Sequence, residues 1–168
     1  MIANIAALIV PLPAQNLTTP HLHNNSLAAY NPTLTYHVPR TPTVLYINYF
    51  PWYQVPRGDL LTAIRNIQKR MADHIEEKGD GWLLPPDDPI IETIRDVEHG
   101  NWNIVIQSSP VTVHLTYGVV LEVMDGWETL IGGQVGACQM FAAIQNERRG
   151  QLGRLRVFRP GYGDLMTE

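Results

Sequence analysis

The chain has 168 residues, of which 45% are hydrophobic and 17% charged, and its formal net charge is −4. That length fits one domain, and that apolar share excludes a disordered chain. The acidic balance argues against a dedicated nucleic-acid binder, which carries a basic excess.

Residues 1–14 read MIANIAALIVPLPA, apolar, uncharged and too short to span a bilayer. Ile5–Val10 has the length of a signal-peptide core, and Leu12-Pro13-Ala14 places a small residue before a cleavage point. No Lys or Arg precedes the apolar run, so a first strand or a buried N-terminal segment is the competing expectation. Residues 15–42 are rich in Asn, Thr, Pro, Ser and His and show no periodicity, which predicts an extended polar leader. This segment holds two N-glycosylation triplets, at Asn16 and Asn24. Together the signal-like run and the triplets predict a secreted glycoprotein. His21-Leu22-His23 could chelate, but a segment without structure preorganises no ligands, so no metal site is expected.

The folded domain is expected over residues 43–158, with a tail over 159–168. Thr43–Phe50 is β-branched and aromatic between Pro42 and Pro51, which predicts a strand; Pro51–Arg57 reads as a loop holding Trp52 and Tyr53. Over residues 59–78, Leu60, Leu61, Ile64, Ile67, Met71 and Ile75 recur at helical spacing with charged residues between them. Asp59 is the expected N-cap and Gly79 the stop. His74 falls near the end of this helix, where the dipole favours a charged imidazole. Prolines make residues 80–89 a loop. Ile90–Glu98 reads as a strand, or alternatively as a short helix. His99-Gly100-Asn101 is a turn into the strand Trp102–Ser108. Thr116 caps a second helix, from about Tyr117 to Ile131, in which Gly126 marks a close approach. Ala137–Gln145 and Leu152–Phe158 are the last strands. The single cysteine, Cys138, opens an apolar run and reads as a buried thiol. This order predicts an α+β domain of ferredoxin-like, split βαβ type: an antiparallel sheet with two helices on one face and one added C-terminal strand.

Between Tyr36 and Phe158 the chain resembles a group of small secreted proteins of filamentous fungi. The resemblance rests on the lead Tyr36-His37-Val38-Pro39-Arg40-Thr41 into Val44-Leu45-Tyr46-Ile47. It rests also on Val113-His114-Leu115-Thr116-Tyr117-Gly118, Met124-Asp125-Gly126-Trp127 and Gly150-Gln151-Leu152-Gly153. It implies an uncharacterised secreted protein and carries over no catalytic residue; the Arg-rich end lies outside the shared pattern.

Motifs for chemistry are few. Gly132-Gly133-Gln134-Val135-Gly136 lacks the Lys-Ser/Thr ending of a phosphate loop, and neither a nucleophile elbow nor a zinc motif occurs, so no cofactor is expected. Nine acidic residues lie between Asp73 and Glu98. Within them Asp87, Asp88 and Glu92 are the candidate carboxylates for a small hydrolase, although loop aspartates beside prolines are ordinary turn formers. Trp52, Tyr53 and Trp82 fall in predicted loops, as stacking residues for carbohydrate or anchors for a host protein, or as lids over helix ends. Five of the twelve basic residues lie between Arg148 and Arg159, with Arg154 and Arg156 on one strand face. They form either a surface for an anionic ligand or a guard of charge on an edge strand; the acidic balance of the chain, and the lack of an aromatic platform in the cluster except Phe158, favour the guard. No membrane-spanning segment is expected. The functional expectation is a secreted, non-catalytic binding or effector-type protein, with a hydrolase and an intracellular structural domain as the alternatives.

Expression in a secreting host should yield a chain cut near Ala14 and glycosylated at Asn16 or Asn24. Mass spectrometry of the secreted product reads both, and an intact Met1 would overturn the processing expectation.

Overall fold

A computed structural model describes residues 33–97, 100–110, 112–133 and 136–161. The expected signal segment, most of the leader, both glycosylation triplets and the end of the tail lie outside the described residues. Eight elements follow in chain order. They are β1 (Thr33–His37), β2 (Thr43–Gln54), α1 (Arg57–Lys78), β3 (Ile90–Ile94), β4 (Trp102–Ser108), α2 (Tyr117–Gly133), β5 (Cys138–Asn146) and β6 (Gly150–Phe158). The strands form one antiparallel sheet in the order β1-β2-β5-β6-β4-β3.

This is an α+β architecture, with a strand order the sequence did not predict. A ferredoxin-like sheet would set β2 beside β4. Here the β5–β6 hairpin lies between them, so β2 and β3, joined by α1, are separated by three strands. Around α2 the split arrangement holds: β4 and β5 run the same way with β6 between them. The C-terminal strand is therefore not appended to an edge. Its Leu155 and Val157 are fully buried on the core side, and it is paired to β5 on one side and β4 on the other.

Three boundaries also differ from expectation. β1 lies inside the span read as leader; its Leu34 and Tyr36 pack on the core while Thr33, Thr35 and His37 face away, and pairing to β2 supplies its backbone bonds. β2 runs on through Trp52 and Tyr53, because pairing resumes at Gln54 opposite Cys138 after a bulge that absorbs Pro51. α1 starts at Arg57 after Pro56 without a side-chain cap, which leaves Asp59 in the first turn. Gly79 does end α1, at φ 83°, where its N–H donates to Ile75 O. Residues 90–94 are a strand and not a helix.

Both helices cover one face. Leu60, Ile64, Ile67 and Met71 of α1 and Val120, Val123, Met124 and Trp127 of α2 share a core with Leu45, Ile47, Ile104, Ile106, Met140, Ile144, Leu155 and Val157 of the sheet. Polar ties reinforce the layer: Arg65 pairs with Glu128 at 2.9 Å, Gln68 donates to Asp125 at 2.8 Å, and the Thr43 hydroxyl donates to Glu122 at 2.7 Å. Cys138 is buried, and desolvation pushes its thiol pKa up, which makes it an inert core residue.

Gly126 is the tightest point of the helix layer. A Cβ there would lie 2.9 Å from a Val38 methyl and 3.3 Å from the Tyr36 ring. The close approach expected from sequence is thus to the β1 end and the turn after it. Gly126→Ala gains about 1 kcal/mol of helix propensity but must displace a branched side chain, an overpacking cost of about 1–3 kcal/mol. The substitution should destabilise the parent and stabilise a Val38→Ala background, as read from urea unfolding midpoints of the four variants.

Candidate functional site

The three candidate carboxylates do not converge. Asp87 accepts a 2.6 Å hydrogen bond from the Tyr117 hydroxyl. Asp88 accepts from the Ser108 backbone N–H at 3.2 and 3.4 Å. Glu92 sits on the core side of β3, pairs with Arg70 at 3.1 Å and accepts from Asn66 at 3.2 Å. Each carboxylate answers a different donor on a different element, so no pair is left facing a shared substrate volume. Glu92 does line an open cleft of about 220 Å³ between α1 and β3, with Asp59, Thr62, Asn66 and Arg95 on its walls. Among the described residues no group of His, Cys, Asp and Glu is arranged to hold a metal ion.

The acidic middle instead fastens the start of α2. Thr116 caps the helix through its hydroxyl, which accepts from Val119 N–H at 3.2 Å. Asp80, read from sequence only as part of a loop, accepts from Gly118 N–H at 2.9 Å. A Cβ at Gly118 would come within 2.9 Å of that same carboxylate, so the glycine is what admits it. His74 stacks on Tyr117 with ring centroids 3.6 Å apart, tying the last turn of α1 to the first of α2. Trp82 and His114 meet edge to face beside them, with Trp82 58% exposed. Burial, and then the hydrogen bond and charge of Asp87, push the Tyr117 phenol up to about 12.

The remaining candidates lie on the sheet. Trp52 and Tyr53 stand exposed at the far end of β2. Arg154 and Arg156 occupy the middle of the sheet, because β6 is hydrogen-bonded on both sides, to β5 and to β4. The edge-guard reading of these arginines is therefore wrong: an internal strand has no free edge to protect. The five-arginine cluster divides. Arg148 and Arg149 lie in the β5–β6 turn, Arg159 lies over the Trp102 ring at 4.7 Å, and Arg154 and Arg156 project from the face opposite the helices.

That face is built by strand alternation, and its cross-strand rows can be read from the register. One row runs Thr35, Tyr46, Ala143, Arg154, Gln107; the next runs Thr33, Asn48, Phe141, Arg156, Val105, Ile91. Arg156 lies over the Phe158 ring at 5.5 Å, and Phe141 meets Phe50 edge to face at 5.7 Å. Val44, Phe50 and Val105 are buried on this face, while Tyr46 and Ile91 are 45% and 54% exposed. No strand residue on it is acidic; Glu92, the one acidic residue within the six strands, faces the helices. The carboxylate at its rim, Glu147 in the hairpin turn, pairs with His37 at 3.5 Å. Sequence placed Arg154 and Arg156 on a shared face, but Tyr46 and Phe141 join them only through pairing between distant segments.

Because the folded Tyr117 pKa lies above the ordinary value of 10.0, its contribution to stability is complete below pH 10 and is lost as pH rises from there through about 12. Ultraviolet titration should show one tyrosine ionising near pH 12. Asp87→Asn should lower that midpoint but leave it above 10.0, since burial remains. Compared with known proteins, the chain matches no family model, no curated protein and no solved structure, so its own side chains carry the functional assignment.

Proposed function

We propose that the chain is a secreted, non-catalytic binding protein that takes an anionic partner on the sheet face opposite its helices. The observation that supports this is the division of charge: Arg154 and Arg156 stand at the centre of a face without acidic strand residues, in a chain of net charge −4. Three of the five cations of α1 are matched: Arg65 with Glu128, Lys69 with Asp73, Arg70 with Glu92. Among the described residues neither Arg154 nor Arg156 enters an ion pair, and Arg156 Nη2 donates to the neutral amide oxygen of Gln107 at 3.5 Å. Two guanidinium groups held together without counter-charge form a local positive potential that an anion relieves. The hydrolase alternative has no comparable support, since Asp87, Asp88 and Glu92 are each committed to a separate structural bond.

Inorganic polyphosphate, an anion without rings or hydroxyl-rich sugars, tests the reading. The parent should bind it in a salt-sensitive manner, and the double variant Arg154→Gln, Arg156→Gln should lose at least tenfold in affinity. Lys69→Gln with Lys78→Gln, on the helix layer, should leave binding unchanged. Equal losses in both double variants would overturn the assignment of the face.

A further inference from the structure

We infer that the anionic partner of this face is single-stranded nucleic acid, held by phosphate contacts and base stacking; the inference rests on the binding function proposed above. Bulk charge points the other way, but among the described residues the carboxylates lie on the helices, in loops or on the core side of β3, and not among the strand residues of this face.

The chemistry of the face selects among anions. Tyr46 is 45% exposed, and its cross-strand neighbours Thr35 and Ala143 are small, so the ring stands clear of the sheet. An exposed ring beside guanidinium groups is a stacking platform, which any base can use because every base has a π-face. Neutral amides at Gln107, opposite Arg154, and at Asn48, across Phe141 from Arg156, offer donors and acceptors to base edges. A polysaccharide presents many hydroxyl donors, and the strong acceptors for these are carboxylates, which this face lacks among its strand residues. A phospholipid surface would use the arginines but has no use for an isolated ring with amides around it. A duplex keeps its bases stacked inside and offers a flat sheet only its backbone.

The spacing is compatible. Arg154 and Arg156, two residues apart on one strand, are separated by about 7 Å, and Tyr46 lies two strands from Arg154, about 10 Å away. A strand crossing the sheet therefore meets two cations and a ring within a few nucleotides. Two phosphates neutralised in a single strand give a slope of log affinity against log salt of about −1.4, from about −0.7 per contact.

Anisotropy titration of the full chain with a short fluorescent oligothymidylate tests this. Binding should show the slope of about −1.4. A duplex of equal length should bind at least tenfold more weakly. Tyr46→Val, which keeps a strand-forming residue, should lower oligothymidylate affinity at least about fivefold, and Tyr46→Phe should restore it. Polyphosphate affinity should not change in Tyr46→Val, which also reports that the variant is folded. If polyphosphate, polygalacturonate or anionic-lipid vesicles bind as tightly as the oligothymidylate and Tyr46→Val is without effect, the nucleic-acid inference falls and the anion-binding face stands. If none of these probes binds the parent, both fall.

Discussion

The position of β6 between β5 and β4 organises this molecule. Over Gly153–Val157 β6 is paired on both sides, so its backbone there is held in the ladder and its register is fixed. Register then decides which side chains face which way. Leu155 and Val157 go to the helix side and close the core, and Arg154 and Arg156 are necessarily sent to the other. Shifting β6 by one residue would turn both guanidinium groups into the core, where an unpaired charge is costly. The same hairpin separates β2 from β4, and so brings Tyr46 and Phe141 from one half of the chain beside Arg154, Arg156 and Gln107 from the other.

Charge follows the layers. The helices carry seven of the sixteen acidic residues, and Glu128 and Asp125 of α2 and Glu92 of β3 are each tied to a side chain of α1. The opposite face keeps two cations with neutral neighbours. Net charge, a property of the whole chain, then says little about the potential a ligand meets on one side of it.

The acidic middle has a mechanical role instead. Asp80, Asp87 and Asp88 occupy one loop and reach three different places: the first turn of α2, the Tyr117 hydroxyl and the end of β4. Asp87 and Asp88 accept from partly buried donors, and Asp80 from an exposed one. With His74 stacked on Tyr117, this loop joins the end of α1 to the start of α2 and holds both helices on the same sheet face. Grouped carboxylates in sequence looked like chemistry. In the fold they are distributed, because each is drawn to a different backbone or hydroxyl donor.

Elements with a strong local pattern were legible in the sequence. The three- and four-residue spacing of Leu60 to Ile75 and of Val119 to Ile131 marked both helices, β-branched runs marked β2 and β4, an apolar run marked β5 and alternation marked β6, since periodicity is a local property. The stop at Gly79, the cap at Thr116, the close approach at Gly126 and the burial of Cys138 were legible for the same reason. β1 was not, because five residues of Thr-rich chain form a strand only when β2 offers an edge. Nor was the candidate face: a single strand shows that Arg154 and Arg156 point the same way, but not whether that strand is an edge or the centre. Strand order is set by pairing between segments far apart in the chain. Only the tertiary structure could place a tyrosine from β2 and a glutamine from β4 around two arginines of β6, and only it could show that the loop carboxylates were already spent on holding α2 in place.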